Sequence, residues 1–529
     1  MEVENIAKEL TRLSDAVGLG QFDIAINGAD LLYQQVNEST DKNATFFKIM
    51  SNIASIFIDV GHMRPCDTST RKGLNILNDN KYEIIEQIGD DAFFYNLSNA
   101  KSNLIDMKNP FGHTFSTIEQ LIDLKGDIWK AIKSFNDNNA GQIAPTYIVN
   151  LGNSLKLQFR ITEAMECYDL VNSFNLDIPQ SWVNRSAALI MLNQVSNTFS
   201  IQMLEQIKKG YENVLSSKAI PPIWLDYYRK QVAFHQNKID KACSVAGIEF
   251  DLHDSEKTKD EYEALNTYRK FCLNNNLSLS EHGVYCACAG SSRDNLTIPT
   301  VDGVTGDFVI PMEMVLNRLK SEFSFARYLY FDYLNKDEDY ELLHDSCFSE
   351  LFNDELLGIG VEKLRTAFRS CFGILDKIGI AICELFDLYP PTGKVYFQSF
   401  WQLDRYNRRE KFNTIKSPGL LALYSIATDL NDKKGGEWSF LKQLRNDLEH
   451  EFVVIHKTDN LSDIYQSYDL MEKIVFIKES DFLSHLKRLL QLTRSAIFSF
   501  VFVVRDKALN EKNEGSIYLP NPIFWKDYK

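Results

Sequence analysis

The sequence contains no apolar run long enough to cross a lipid bilayer, which takes about 20 residues as a helix. Its longest apolar run is the short segment Ser495–Val504. The N-terminal residues, MEVENIAKEL, are acidic and polar, whereas a secretory signal begins basic and continues apolar. Together these features predict a cytoplasmic protein.

The chain also lacks the cysteine pattern of a disulfide-stabilised domain. Its 9 cysteines are an odd number at irregular spacing, and no two of them form a CxxC pair. Reduced thiols are therefore expected. With 44% hydrophobic and 24% charged residues, the composition is that of a packed globular protein, which excludes collagen-like and wholly disordered chains.

Several common catalytic motifs are missing. The patterns GxxxxGK[ST], GxGxxG, GxSxG and HExxH are all absent. The sequence therefore lends no local support to an NTPase, a dehydrogenase, an α/β-hydrolase or a zincin.

Charge is distributed unevenly along the chain. The net charge of −15 argues against a protein that coats nucleic acid, because phosphate binding needs a cationic surface. Residues 361–529 nevertheless carry a net charge of +3, against −18 for residues 1–360. The two parts of the chain are expected to have different electrostatic roles.

Helix-period patterning dominates residues 1–255. Ile148, Leu151, Gly152 and Leu155, followed by Ala164, Tyr168 and Val171, resemble a tetratricopeptide repeat. Asn96–Asn99 and Gly20–Ala25 are weaker echoes at irregular spacing. We predict an α-solenoid of degenerate tetratricopeptide-like repeats, in which neighbouring hairpins cover each other's apolar faces. An irregular helical bundle is the alternative.

The pattern changes after this region. A charged helix, predicted over 256–273, leads into a stretch rich in glycine and turn dipeptides, and we interpret 256–311 as a junction. Residues 312–529 are predicted to form a helical bundle, so the fold class is all-α. Strand-like alternation is confined to 473–477 and 394–397. The bundle helices are predicted over 312–334, 361–388, 418–430, 439–454 and 480–509.

The segment Leu444–His450 (LRNDLEH) carries the most specific signal. An arginine, a polar residue directly after it and a histidine five positions from the arginine, expected at the head of a helix, resemble the catalytic motif of the HEPN superfamily. The order of flanking helices resembles a bacterial branch with N-terminal repeats and a C-terminal HEPN domain. The spacing alone is weak, because Arg229 and His235 also satisfy a loose form of it.

RNA carries its own nucleophile, the 2′-hydroxyl, so its cleavage needs a proton acceptor, a proton donor and stabilisation of the phosphorane charge, but no metal. His450 is suited to proton transfer, and Arg445 offers a planar fork to phosphate oxygens. Asn446 shares a helix face with His450, whereas Arg445 lies about 140° away from it. Two motifs facing each other across a two-fold axis would complete the site, as in the dimeric sites typical of HEPN nucleases.

A structural interpretation of the same residues is open. Arg445 and Glu449 are spaced for a surface ion pair, which would leave His450 merely facing solvent. Asp447 and Glu449 also place negative charge near the site, so a cationic surround is expected to offset them. We predict that the basic segment 405–411 supplies these cationic residues. The segment either contacts RNA or is an ordinary solvated loop. Its candidate RNA-binding residues are Arg405, Tyr406, Arg408, Arg409 and Lys411.

Two other groups of residues have alternative roles. Asp376 is predicted to orient His450 or Arg445, or else to be a buried partner of Lys377. Cys272, His282, Cys286 and Cys288 are zinc-type ligands, but their spacing matches no common zinc module, and no metal or other cofactor is predicted.

These observations predict a metal-independent endoribonuclease of HEPN type, gated by the repeat region. Its expected partners are an RNA substrate such as tRNA or mRNA, a second copy of the chain, and a protein or ligand on the repeats. The resemblance implies a toxin or an anti-phage defence effector. The alternative is a non-catalytic adaptor that dimerises and binds protein, nucleotide or RNA.

Overall fold

The computed structural model describes residues 3–38, 42–105, 109–139, 142–198, 200–246, 255–300, 303–335, 354–459, 474–510 and 518–519. The chain forms two compact units. The first comprises residues 1–192 and 200–249, and the second comprises 193–199 and 250–529. Predicted positions in 336–353 and 460–473, and Lys473 of the predicted strand, lie outside the described residues.

The first unit is built from helices joined by short turns. They are α1 (Val3–Gly18), α2 (Phe22–Asn37), α3 (Ala44–Met63), α4 (Asp67–Asp79), α5 (Lys81–Gln87), α6 (Asp90–Leu104), α7 (Phe115–Asn138), α8 (Pro145–Leu157), α9 (Ile161–Ser173), α10 (Pro179–Ser196), α11 (Ile201–Leu215) and α12 (Pro222–Ala246). The last residues of α10 belong to the second unit.

Consecutive helices pack on each other in the order of the chain. The pairs α1–α2, α3–α4, α6–α7, α8–α9 and α11–α12 are in contact, and α2–α3 and α7–α8 link successive pairs. This is the packing of a helical solenoid, which confirms the predicted fold class. Within α8–α9, a Cβ on Gly152 would lie only 2.7 Å from the ring of Tyr168. Glycine is therefore required where the aromatic side chain packs between the two helices.

Helix α3 is the most apolar helix of the first unit. Its length and composition would allow it to cross a membrane, yet 67% of its apolar window is buried inside the protein. Phe57, Ile53 and Ala54 are fully buried against neighbouring helices. These contacts are those of a central core helix.

The second unit contains longer helices. They are α13 (Ser255–Glu263), α14 (Thr267–Asn274), α15 (Val309–Asn335), α16 (Ile359–Phe386), α17 (Tyr406–Thr414), α18 (Pro418–Asp429), α19 (Ser439–His450) and α20 (Glu479–Asn510). Helix α20 packs on α15, α16 and α18 and forms the centre of the bundle. The charged helix predicted over 256–273 is instead two helices, because Asn266 caps the start of α14 by accepting from the amide of Arg269.

A small sheet lies beside these helices. Strand β2 (Glu355–Leu356) pairs antiparallel with β3 (Phe452–His456), which pairs parallel with β4 (Ile474–Lys478). The predicted strand at 473–477 corresponds to β4, whereas 394–397 forms no strand. Strand β3 falls in the region predicted as the end of a helix. A separate two-stranded pair joins β1 (Val304–Thr305), which precedes these strands, to β5 (Tyr518–Leu519), which follows them.

The glycine-rich stretch after α14 is anchored inside the second unit by buried arginines. The guanidinium of Arg327 on α15 donates to the backbone oxygen of Leu277 at 2.6 Å and to Asp294 at 2.5 Å. Arg505 on α20 donates to the backbone oxygens of Thr297 and Ile298 at 2.6 and 2.9 Å. Five N–H donors on one planar group let a single side chain hold several loop carbonyls.

Candidate functional site

The motif Leu444–His450 occupies the second half of α19, and His450 is the last residue of that helix. The expectation that the motif lies at the head of a helix is therefore wrong, as is the predicted helix end at 454. Strand β3 begins at Phe452, because β-branched and aromatic residues there pair with β2 and β4. His450 is exposed at the junction between helix and sheet.

Arg445 lies on the face of α19 turned partly towards the protein. It is half-buried, and its Nη1 donates to the side-chain oxygen of Asn446 at 3.1 Å. Asp447 is buried and accepts a hydrogen bond from Gln443 at 2.6 Å. Asn446 thus contacts the arginine fork, and the Asp447 charge is withdrawn from the surface.

Helix α16 contributes the charged groups closest to the motif. Arg369 of α16 lies 3.9 Å from Glu449, between Nε and Oε1. Two helical turns farther along α16, Asp376 experiences the charges of Arg445 and Lys442. Arg369 is near Glu449, and Asp376, later on α16, is near the earlier residues Arg445 and Lys442 of α19. The two helices are therefore antiparallel at this contact.

Asp376 connects α16 to the segment that follows it. Its carboxylate accepts a hydrogen bond from the backbone amide of Phe397 at 2.8 Å. Burial raises the pKa of Asp376, although this hydrogen bond and the charges of Arg445 and Lys442 oppose the shift. Lys377, the alternative partner, forms its ion pair with Glu322 at 2.6 Å. Asp376 therefore lies between a backbone amide and the motif arginine.

The predicted RNA-binding residues divide into two groups. Arg405, Tyr406 and Lys411 are exposed, with Tyr406 at 74%. Arg409 is half-buried, and its Nε donates to the backbone oxygen of Leu403 at 2.8 Å. These four side chains remain candidates for RNA contact.

Arg408 is buried at 8% exposure, so we withdraw it from the predicted RNA-binding set. Its guanidinium donates to backbone oxygens on both sides of a loop. Those oxygens belong to Leu388, Tyr389, Phe400 and Trp401. The side chain is committed to holding the loop before α17 against the end of α16.

Several cationic residues near the motif were missed by the sequence analysis. Lys442 lies one helical turn before Arg445, and that spacing could have identified it. Arg369 and Arg365 are four residues apart on α16, and Arg365 donates to the backbone oxygen of Val453 at 2.5 Å. Only the antiparallel contact of α16 with α19 brings them to the motif.

Exposed apolar side chains occur at the start of β3, just after His450, and in the segment that follows β2. Phe452 is 60% exposed at the start of β3. Antiparallel pairing with β3 carries the chain after Leu356 towards Phe452, and Leu357 and Ile359 on this path are 38% and 46% exposed. We call Leu357, Ile359 and Phe452 the apolar patch.

The second Arg-His pair of the sequence has a different environment. His235 on α12 is buried, and its Nδ1 contacts the backbone oxygen of Gln231 at 2.9 Å. Desolvation lowers the pKa of His235. The ring is therefore a packed core group, in contrast to the exposed His450.

The first unit contains a polar pocket of about 330 Å³. Amide side chains from α6, α8 and α10 line it: Asn99, Asn103, Asn150, Asn153, Gln180 and Asn184. They are partly bonded to one another and to neighbours, with Asn150 donating to Asn99 at 2.7 Å and Tyr168 donating to Asn153 at 2.8 Å. Asn96–Asn99 and Asn150–Asn153, which resemble each other in sequence, thus contribute to one pocket.

Asp59 and His62 of α3 complete this pocket. The Asp59 carboxylate remains accessible to water, but protein surrounds it on most sides. This desolvation raises its pKa to about 6, against the effect of a hydrogen bond from Ser55. The pocket therefore offers many hydrogen-bonding groups and one carboxylate that ionises near neutral pH.

The part of the chain that contains this site is similar to a known protein family. Residues 304–507 match the family model described as LA2681-like HEPN. No curated protein and no solved structure matches the chain. The match covers α15 to α19, the three-stranded sheet and α20 as far as residue 507. The C-terminal part of the chain therefore carries a HEPN domain, similar to the LA2681-like HEPN family.

Proposed function

We propose that the protein is a metal-independent endoribonuclease whose active site is formed by Arg445, Asn446 and His450. HEPN domains are often ribonucleases, commonly bind RNA and often dimerise. The observation that carries the proposal is that His450 is solvent-exposed at the end of α19, five residues after Arg445, whose guanidinium donates to Asn446. A merely structural histidine, such as His235, is buried with its ring nitrogen engaged.

Each residue has a distinct role in the proposed reaction. His450 takes the proton from the 2′-hydroxyl or gives one to the departing 5′-oxygen. Arg445 binds the non-bridging oxygens of the phosphorane, where charge accumulates. Asn446 holds the arginine fork by its hydrogen bond, and Asp376 limits where the guanidinium can move. Attack by the 2′-oxygen expels the 5′-oxygen and leaves a 2′,3′-cyclic phosphate.

The substrate path is proposed to follow the cationic residues around α19. Lys442 and Arg369 offset the charge of Glu449 next to the motif. The exposed Arg405, Tyr406 and Lys411, with the half-buried Arg409, are proposed to bind RNA beyond it, with the tyrosine ring available for stacking on a base.

Two copies of the domain are proposed to meet at the apolar patch. Exposed Phe452 lies two residues after His450, so burying the patch against its counterpart would bring the two motifs to one cleft. Dimerisation would then both complete the site and regulate it.

We propose that the pocket of the first unit senses the activating signal. Its amides and its carboxylate suit a ligand with several hydrogen-bonding groups, such as a peptide backbone or a nucleoside. A toxin or defence role in the cytoplasm of a bacterium would need such a gate, because an unrestrained ribonuclease destroys the RNA of its host. We also retain, as part of the proposal, a division into repeats at 1–255, a junction at 256–311 and the HEPN domain at 312–529.

The test compares wild type with His450→Ala on tRNA and total RNA, in buffer without added metal and with EDTA. We expect wild type to yield fragments ending in 2′,3′-cyclic phosphate and the variant to yield none. Glu451→Ala, an exposed neighbour outside the motif, is the matched control and should behave as wild type. Equal cleavage by wild type and His450→Ala would favour the alternative, a non-catalytic adaptor that dimerises and binds RNA or protein.

A further inference from the structure

A cluster of sulfur and nitrogen ligands lies in the second unit outside the HEPN motif. One ligand atom from each of His282, Cys286 and Cys288 lies within 4.8 Å of the other two. Cys288 is buried, and the other two residues are half-buried. Cys272, the fourth zinc-type ligand of this part of the sequence, does not join the cluster. Its thiol is buried elsewhere, where Tyr268, Arg327 and Asp294 affect its pKa.

Two short turns bring these residues together. A 3-10 turn over His282–Val284 is followed by a hydrogen bond from the amide of Cys286 to the backbone oxygen of His282 at 3.0 Å. A second turn over Gly290–Ser292 begins after Cys288. A Cβ on Gly283 would lie 2.7 Å from the backbone oxygen of Ser291. The two turns can approach this closely only because residue 283 has no side chain.

Hydrogen bonds from α20 and hydrogen bonds within the loop both hold the loop that carries the cluster. Arg494 on α20 donates to the backbone oxygen of Ser278 at 2.8 Å, and Ser278 itself donates to the backbone oxygen of Ser291 at 2.7 Å. Arg505 pairs with Glu281 at 2.6 Å. The ligand cluster therefore lies on a loop that is hydrogen-bonded to α20 and to itself, which fixes the positions of the ligands.

The surroundings have the features of a metal site. Nδ1 of His282 contacts the hydroxyl of Tyr285 at 3.0 Å, the kind of outer contact that fixes the ring of a metal-binding histidine. Glu261 accepts a hydrogen bond from the amide of Ala289, the residue after Cys288, at 3.1 Å, and its charge acts on Cys286. A carboxylate thus lies beside the thiols.

We propose that His282, Cys286 and Cys288 bind one zinc-class divalent cation that stabilises this loop, and that the carboxylate of Glu261, which lies outside the 4.8 Å cluster, turns towards the ion as the fourth ligand. Two thiolates and an imidazole are a preferred zinc donor set. Ligand atoms about 2.0–2.3 Å from a common ion lie within about 4 Å of one another, so small side-chain rotations close the observed cluster. Four protein ligands would leave no open position for a substrate, so the proposed site is a structural one. It is independent of the proposed ribonuclease function.

The test measures the metal directly. Protein purified without chelators is analysed for zinc, stripped under reducing conditions and titrated with Co²⁺. We expect about one ion per chain, with the thiolate-to-cobalt charge-transfer and visible bands of a tetrahedral site. Absence of these bands, or a Cys286–Cys288 disulfide in the protein purified without reductant as shown by intact mass, would overturn the proposal.

Variants locate the ligands. Cys286→Ser and Cys288→Ser should each weaken zinc binding at least tenfold in competition with a chromophoric chelator and reduce the charge-transfer intensity. Cys243→Ser, which replaces a half-buried cysteine outside the cluster, is the control and should bind as wild type. Glu261→Gln should weaken binding while retaining the thiolate bands; unchanged affinity would overturn the assignment of the fourth ligand. Bands that persist in the double cysteine variant would overturn the whole site.

Discussion

Asp376 of α16 accepts a hydrogen bond from the backbone amide of Phe397 at 2.8 Å, while the charge of Arg445 acts on the same carboxylate. One side chain therefore joins three parts of the HEPN domain: helix α16, the loop before α17 and the motif helix α19. Its structural and functional contributions can be separated by substitution.

We expect Asp376→Ala to destabilise the domain by about 1–3 kcal/mol, because the buried amide of Phe397 loses its acceptor. Asp376→Asn retains an acceptor oxygen and should remain close to wild type in urea unfolding. Both variants remove the negative charge beside Arg445, so both should slow RNA cleavage. Full cleavage by Asp376→Asn would show that the carboxylate only supports the loop.

Arg445→Lys should reduce cleavage roughly 10–100-fold, because an ammonium cannot form two parallel hydrogen bonds to a phosphate. Thermal stability should change little, since Arg445 is half-buried and its hydrogen bond goes to its own neighbour on the helix, Asn446. Rates are measured on a short fluorescent RNA. Arg318→Lys, an exposed position on α15, is the control. A rate equal to wild type would contradict the role of the guanidinium.

Arg408→Ala is expected to destabilise the second unit by about 2–4 kcal/mol, because several buried carbonyl oxygens lose their donors together. Arg405→Ala, three residues earlier and exposed, should change stability by no more than about 0.5 kcal/mol and instead weaken RNA binding. Urea unfolding and fluorescence anisotropy with labelled RNA measure the two effects. If the two variants had the same effects, the division of the basic segment would be incorrect.

Phe452→Asp should convert a dimer into a monomer and abolish cleavage, because the charge would be buried in the proposed interface. Light scattering on the size-exclusion eluate gives the mass. Met314→Asp changes a side chain that is 69% exposed on α15 and should leave both properties unchanged. A dimer that survives Phe452→Asp would place the interface elsewhere.

Asp59→Asn tests the pocket of the first unit through its pH dependence. The folded protein keeps the Asp59 proton up to about pH 6, while the unfolded chain releases it near 3.8. The contribution of this group to stability is therefore full below about pH 4 and is lost as the pH rises through about 6. The variant avoids that loss, so its melting temperature relative to wild type should rise between these pH values. The shift should be small, because water still reaches the side chain. Asp137→Asn, an exposed position on α7, should show no such trend.

Much of the helical architecture could be predicted from periodicity, because helices α15, α16, α18 and α20 have wide apolar stripes that define their limits within a few residues. The end of α19 could not. Residues 451–454 continue an apolar helical pattern, and only the pairing of Phe452–His456 with two distant strands makes them a strand. The structural role of Arg408 could not be predicted either. A basic residue in a charged run is expected to be solvent-exposed, and the sequence does not show whether the fold buries it.

The sequence by itself determined the local features of this protein: the helices, the spacing of Arg445 and His450, the glycine that lets Tyr168 pack, and the order of ligands from His282 to Cys288. These depend on neighbours within a few residues. The tertiary structure alone decided which charges meet, placing Asp376 and Arg369 against α19, burying Arg408 and bringing α3, α6, α8 and α10 around one pocket. Such contacts depend on how elements far apart in the chain pack together, and the pattern of any one segment does not specify them.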